Sequence, residues 1–261
     1  MQPFDQIFSL SGKTALVAGA SRGIGLSIAQ ALATAGAHTI LAARSVDKLR
    51  ERAAAITSAG HSAATLELDV TNSDSIRAAA ASLDAVDILV NVSGTNLRKR
   101  FENYTRAEYD HLLATNLHGL VELTQLIGAK MIVRGKGGKV IFIGSLTSRM
   151  GLPYLSVYGI TKGAVTQLTQ GLAAEWGRYD IQVNCIAPGY IVTDLNRAMW
   201  QAPEMLQWLR GNQANPRLGR AEDIAPLAVF LSSKGSDYIT GQVIPVDGGF
   251  TTTAVWPYEP A

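Results

Sequence analysis

The feature that most constrains this chain is a rhythm. Short, nearly continuous apolar runs alternate with longer stretches whose apolar residues recur at helical spacing. Runs 13–18, 38–43, 64–68, 86–90, 139–143, 181–186 and 242–246 read as seven strands, and the stretches between them read as helices. The helical stretches follow the glycines at 19–25 as far as residue 35, then cover 46–58, 72–83, two within 106–134, 155–176 and 222–231. Strands that are apolar along their whole length belong to a parallel sheet covered on both faces. Right-handed crossovers then wind the chain into a doubly wound α/β fold of Rossmann type, a seven-stranded parallel sheet with helices on both faces. With no low-complexity linker and no fixed-period repeat, residues 1–261 read as one domain.

One segment departs from the rhythm. Residues 190–220 follow the sixth strand and carry Leu195, Met199, Leu206 and Leu209 at helical spacing, with Tyr190, Trp200 and Trp208 among them. Open α/β sheets bind ligands at the carboxyl ends of their strands. The segment is therefore expected to be a helical lid over a substrate, the alternative being a hairpin used only for packing.

Composition narrows the function classes. Hydrophobic residues make up 47% and charged residues 17% of the chain, which indicates a packed globule. A net charge of +2 argues against nucleic acid or an anionic membrane surface as a partner. No apolar stretch reaches the length of about 20 residues needed to span a bilayer. The single cysteine, Cys185, excludes a disulfide framework within the chain and argues against a thiolate zinc site. The four histidines, His38, His61, His111 and His118, form no ligand-spaced cluster, so no metal site is expected. The first residues show neither a basic start nor an apolar core of a secretory signal, and the expected compartment is the cytoplasm.

Gly19-Ala-Ser21-Arg22-Gly23-Ile24-Gly25 follows the first strand and opens a helix. Such a turn lets backbone N–H groups and a helix N-terminus approach a pyrophosphate. The spacing is G-x-x-x-G-x-G, not the G-x-G-x-x-G of the common dinucleotide fingerprint. The same residues satisfy G-x-S-x-G, the nucleophile elbow of α/β-hydrolases, which raises a serine hydrolase acting through Ser21 as a rival. Such enzymes place an acid and then a histidine after the serine, and no histidine follows His118.

Tyr158-Gly-Ile-Thr-Lys162 places a phenol and an ammonium four residues apart, on one helix face. An ammonium beside a phenol favours the phenolate, so the tyrosine can give a proton to a carbonyl oxygen or take one from an alcohol. Ser145, at the carboxyl end of the fifth strand, can hold the substrate oxygen beside the phenol.

Taken together, the chain resembles the short-chain dehydrogenase/reductase family. The likeness rests on Gly19-x-x-x-Gly23-x-Gly25, Asp69-Val70, Asn91-Val-Ser-Gly94, Asn116, Ser145, Tyr158-x-x-x-Lys162, Asn184, Pro188-Gly189 and Thr193, in family order. The resemblance implies a catalytic tetrad of Asn116, Ser145, Tyr158 and Lys162. Lys162 would also bond the nicotinamide ribose, and Asn116 would hold a water in a proton relay. Gly19, Ser21, Arg22, Gly23, Ile24 and Gly25 would cradle the phosphates. Asp69 and Val70 would contact the adenine, and Asn91 and Gly94 would line the floor. Pro188 and Gly189 join this cofactor set, and Thr193 and the backbone near Ile191 would meet the carboxamide. Ala18 and Ser93 stand where the family usually has threonine and alanine. The implied chemistry is metal-free hydride transfer between a nicotinamide and a carbonyl or secondary alcohol.

Dinucleotide folds that use NAD commonly place an acid after the second strand, whereas an arginine accommodates a 2′-phosphate. Here Ala43 takes the acid's place and Arg44 follows it, with Arg22 nearby in the glycine loop. Guanidinium suits phosphate, so NADP(H) is expected over NAD(H). The stretches around Ser145, Ala174-Glu-Trp176, Pro188–Asn196 and 231–239 resemble the gluconate 5-dehydrogenase branch of the family, the 5-ketogluconate reductases. The substrate expected on this resemblance is a sugar acid such as 5-ketogluconate, with other ketones or 3-oxoacyl thioesters as the alternative. Arg98, Lys99, Arg100 and Arg149 are the cations available to pair with its carboxylate. The resemblance also implies a homotetramer built on the helices within 106–134 and 155–176 and on the last helix and strand; Ala164, Leu168, Leu172 and Ala173 make the helix at 155–176 apolar over more than one face. The tail at 251–261, with Trp256 and Tyr258, is expected to reach a neighbouring subunit.

Overall fold

A computed structural model describes residues 4–194 and 196–254, apart from the side chains of residues 4 and 5. Seven strands form one all-parallel sheet: β1 (Thr14–Ala18), β2 (His38–Ala43), β3 (Ala63–Glu67), β4 (Ile88–Asn91), β5 (Gly138–Ile143), β6 (Ile181–Pro188) and β7 (Val243–Val246). Their order is β3-β2-β1-β4-β5-β6-β7. Every residue of β4 and β6 is buried, while the edge strands β3 and β7 are mostly half-buried. This is why the central strands show unbroken apolar runs: both of their faces lie under helices.

After a short first helix, α1 (Phe4–Phe8), the two helical layers divide cleanly. α2 (Gly23–Thr34), α3 (Val46–Ser58) and α9 (Ala221–Ser232) cover one face, packing Ile28, Leu32, Leu49 and Ile224 on Val17 and Val90. α4 (Ser73–Ala81), α6 (Gly119–Arg134) and α7 (Ser156–Trp176) cover the other, packing Ile76, Leu123, Ile127 and Val165 on Leu16, Leu89 and Phe142. Alternate residues of β1 serve the two cores, as the period of a strand demands.

The chain winds outward from β1 to β3 and then returns to place β4 on the other side of β1. The topological switch therefore falls between β1 and β4, where a crevice opens at the carboxyl ends. The backbone of Val92 and Ser93 crosses this point by donating to the Ala18 carbonyl at 2.9 and 3.0 Å.

Two departures from the sequence reading matter for the site. The stretch 106–134 is not simply two long helices: α5 (Arg106–Leu113) joins α6 through a π-helical turn, Ala114–His118. A π turn inserts a residue into the helical ladder and re-aims its side chains, and here Asn116 is fully buried at its centre. The segment 190–220 holds a 3-10 turn at Met199–Gln201 and a helix, α8 (Pro203–Asn212), and a parallel bridge between Ile191 and Gly219 brings its two ends together. Leu195 of this segment lies outside the described residues, as do Trp256 and Tyr258 of the tail.

Candidate active site

The glycine loop is shaped by steric necessity. Gly19 has φ +94°, and a Cβ there would stand 2.7 Å from the backbone nitrogen of Ser93. A Cβ on Gly25 would fall 2.2 Å from the Gly19 carbonyl oxygen. The loop can thus fold tightly under β4 and start α2 directly. No side chain caps the N-terminus of α2, and its first turn carries no acid. Its N–H groups and positive dipole end are left for an anion.

A cleft of about 420 Å³ runs along this turn. Gly19, Ser21, Arg22, Gly23, Ile24 and Gly25 form one wall, and Asp69, Val70, Gly94 and Thr193 lie on others. At its far end Ala43, Arg44, Ser45 and Lys48 gather beside Arg22. Asp69 accepts from the Thr71 backbone and hydroxyl at 2.9 and 2.7 Å. Burial pushes its carboxyl up, but the Thr71 bonds and the Arg44 charge outweigh this and leave its pKa below the ordinary value. A dinucleotide fits this donor set: an uncapped helix terminus at the centre, cations at one end and a carboxylate acceptor on the side.

The tetrad residues converge near the opposite end. Lys162 is buried on α7 and donates to the Ile143 carbonyl at 2.8 Å, which anchors the ammonium at the carboxyl end of β5. Its Nζ lies 5.7 Å from the centre of the Tyr158 ring, one helical turn earlier. Ser145 is buried and its hydroxyl accepts from the Thr147 N–H at 3.2 Å, while Ser148 ties the turn to α7 by donating to the Lys162 carbonyl at 3.0 Å. Ser145 and Tyr158 share the wall of a small pocket of about 140 Å³ with Asn96, Arg98, Thr147, Leu152, Leu155, Tyr190, Met199 and Trp200. A substrate oxygen placed here meets a serine hydroxyl and a phenol together.

Asn116 is tightly committed. Its Oδ1 accepts from the Thr95 N–H at 2.8 Å, and its Nδ2 donates to the Thr95 carbonyl at 2.9 Å and to the Thr161 hydroxyl at 3.2 Å. Both side-chain donors are occupied, so the amide fixes the loop after β4 against α7. A Cβ on Gly94 would lie 3.5 Å from Asn116 Oδ1 and 3.7 Å from Lys162 Nζ, which sets this loop directly over the lysine.

Asn91 and Pro188, expected among the cofactor residues, are the buried last residues of β4 and β6. The Asn91 side chain turns into the core and donates to Thr124 on α6 at 3.1 Å, so Val92, Ser93 and Gly94 line the cleft in its place. Pro188 is buried as the last residue of β6, and Gly189 rather than Pro188 reaches the small pocket. A strand-end asparagine and a loop asparagine look alike in sequence, and only the strand register decides which way each points. Conversely, Lys48, Thr115, Asn96 and Thr147 carry no sequence signal of their own, although they lie in the segments that follow β2, β4 and β5. His111 is exposed on the rim of the larger cleft. Ser21 hydrogen-bonds no histidine among the described residues, so the hydrolase reading gains no support from the side-chain contacts.

The segment after β6 closes over the small pocket. Asn196 staples its first turn, accepting from the Thr193 N–H at 2.9 Å and donating to the Ile191 carbonyl at 2.8 Å. Tyr190 packs edge-on against Trp200, Trp208 and Phe250, with ring centres 5.2, 5.6 and 4.9 Å away. Burial pushes the Tyr190 phenol up to about 12 despite the opposing influence of Arg98.

A doubly wound sheet with an uncapped glycine turn and a converged serine, tyrosine and lysine defines a nicotinamide-dependent oxidoreductase. The chain belongs to the short-chain dehydrogenase/reductase family. A family model described as enoyl-(acyl carrier protein) reductase matches residues 19–251. The gluconate 5-dehydrogenase of Gluconobacter oxydans is 38% identical over 251 residues, covering 95% of this chain and 98% of that one. The 2-dehydro-3-deoxy-D-gluconate 5-dehydrogenase of Bacillus subtilis is 40% identical over 246 residues, covering 93% and 96%. The crystal structure of a gluconate 5-dehydrogenase from Burkholderia cenocepacia, in complex with NADP and tartrate, superimposes with a TM-score of 0.92 at 37% identity over 96% of this chain and 99% of that one.

Proposed function

We propose that this protein is an NADP(H)-dependent oxidoreductase acting on a sugar acid of the 5-ketogluconate/gluconate kind. One observation carries the substrate reading. Of the four cations that could meet a carboxylate, three are engaged elsewhere. Lys99 pairs with Glu108 at 2.8 Å, and that bond leads the contacts that hold the Glu108 carboxyl down at about 2. Arg100 stands 4.0 Å from Glu102, and Arg149 donates to the Val243 carbonyl at 2.8 Å. Arg98 makes no ion pair among the described residues and lines the pocket that holds Ser145 and Tyr158. Its neighbours are pinned: Tyr104 donates to the Leu97 carbonyl at 2.5 Å, and the Lys99 N–H donates to the Tyr154 carbonyl at 3.0 Å. A free guanidinium on a fixed loop suits a carboxylate at the far end of the substrate.

When bound, NADPH supplies the hydride that the carbonyl carbon accepts, and the tetrad handles the oxygen. Ser145 donates a hydrogen bond to the carbonyl oxygen, and Tyr158 gives it a proton, yielding the secondary alcohol. Lys162 stabilises the charge left on the phenol oxygen and holds the nicotinamide ribose. Arg22, Arg44 and Lys48 hold the 2′-phosphate. In the oxidising direction Tyr158 accepts the same proton. The half-buried Ala164, Leu168 and Leu172 on α7 support assembly of copies through this helix, into the homotetramer implied by the family.

The test is loss of NADPH absorbance with 5-keto-D-gluconate, wild type against Arg98→Ala. Saturable turnover in the wild type, with KM raised roughly 10-fold or more in the variant and a smaller change in kcat, supports the reading; a charge-assisted bond is worth about 1.5–3 kcal/mol. Absence of turnover on 5-ketogluconate beside turnover on apolar ketones overturns the sugar-acid assignment.

A further inference from the structure

Two residues that line the small pocket each carry a buried polar atom without a partner. Thr147 and Trp200 are each more than nine-tenths buried, at 9% and 5% exposure. The Thr147 hydroxyl and the Trp200 indole N–H are covered and hydrogen-bond no group of the protein. Only six side-chain atoms among the described residues are in this condition, and two of them belong to residues lining one pocket of about 140 Å³. Buried polar groups are ordinarily satisfied, and an unsatisfied one is unfavourable. Valine has the shape of threonine, and phenylalanine is an aromatic ring without a polar atom, so neither would carry that penalty if the pocket served an apolar ketone.

Their placement is specific. The Thr147 N–H donates to the Ser145 hydroxyl at 3.2 Å, so its side chain stands one residue's reach from the reacting oxygen. Trp200 comes from the other side, on the Met199–Gln201 turn of the segment after β6. An indole N–H only donates, whereas a threonine hydroxyl donates and accepts. We infer that these atoms are specificity-determining contacts for hydroxyl groups on the carbons flanking the substrate carbonyl. The indole N–H donates to one hydroxyl oxygen and the Thr147 hydroxyl pairs with another, each made available as the turn carrying Trp200 adjusts around the ligand. The preferred substrate class is thus an α,α′-dihydroxy ketone. This inference rests on the reading of the pocket as the carbonyl site and specifies the substrate next to that carbonyl, whereas Arg98 concerns its distant carboxylate.

The experiment compares 1,3-dihydroxyacetone with pentan-3-one, in which methyl groups replace the two hydroxyls. The quantity read is the ratio of their kcat/KM values, in wild type, Thr147→Val and Trp200→Phe. A partly misfolded preparation lowers both values and leaves the ratio alone. Each variant is expected to lower the ratio about 3- to 10-fold, the range of one neutral hydrogen bond. Thr147→Ser, which keeps the hydroxyl, is expected to restore it. A ratio unchanged in both variants overturns the inference, even if 5-ketogluconate is a good substrate. A ratio that falls while the wild type ignores 5-ketogluconate supports the inference and overturns the sugar-acid assignment alone.

Discussion

Replacing Arg44 should change cofactor choice by a calculable amount. Arg44 directly follows β2, at the end of the cleft where Ala43 leaves no acid to hold a ribose hydroxyl. It is exposed, so its bond to a 2′-phosphate is partly screened by solvent and belongs at the lower end of the range for charged hydrogen bonds, about 1.5–2 kcal/mol. Arg44→Ala should therefore weaken NADPH binding about 10- to 30-fold, since each 1.4 kcal/mol is tenfold. NADH, which lacks the phosphate, should change little. Arg22 and Lys48 remain in the cleft, so the loss is partial. Arg44→Asp goes further. It sets a carboxylate against the phosphate and offers the NADH ribose an acceptor, so the ratio of kcat/KM values should move toward NADH. Fluorescence titration of both cofactors at low and high salt reads the effect. The NADPH advantage should shrink as the screening length drops from about 10 Å at 0.1 M to about 3 Å at 1 M salt. Equal weakening of NADPH and NADH by Arg44→Ala, or a wild type that prefers NADH, would refute the reasoning.

Other perturbations test the remaining parts. Tyr158→Phe keeps the ring beside Lys162 and removes the proton, so kcat should fall about 10²–10⁴-fold while NADPH still binds; near-normal turnover would contradict the assigned role. Gly128→Ala places a Cβ 2.3 Å from the Trp176 ring, between α6 and the end of α7. Overpacking of this kind typically removes about 1–3 kcal/mol, and a melting temperature equal to wild type would show that the helices yield freely. Asp223 accepts from Arg217 and from the Arg220 N–H, and these bonds, Arg217 first, hold its carboxyl at about 2. A depressed folded pKa stabilises above the ordinary carboxylate value and is lost as pH falls through the folded one. Asp223→Asn should accordingly lower the urea midpoint at neutral pH, with the deficit closing between about pH 4 and pH 2; a deficit independent of pH would place its origin elsewhere.

What the sequence made legible follows the range of the interactions. β2 and α3 coincide with the ranges read from periodicity, because burial on both sheet faces and on one helix stripe writes itself into neighbouring residues. The glycine loop and the Tyr158–Lys162 pair were legible for the same reason: a turn or a helical step brings them together within a few positions. The π turn around Asn116 was not, since nothing in residues 114–118 announces an inserted residue; the side chain is held by Thr95 and Thr161, from other elements.

The same distinction decides the charges. Arg98, Lys99 and Arg100 are adjacent and chemically alike, and sequence gives no basis for choosing among them. The choice is made by their partners. Glu108 comes from α5, and Arg149, the other candidate, is taken by a carbonyl on β7, 94 positions away. Arg98 remains because its neighbours on both sides are consumed in fixing the loop that carries it. The bonds that remove Lys99 from the pocket also hold Arg98 at its wall, so Lys99→Met should damage carboxylate recognition without Lys99 ever touching substrate. Its signature would be a raised KM for an anionic substrate with little change for a neutral ketone. If Lys99→Met left both KM values untouched, the loop would not depend on that ion pair for its position.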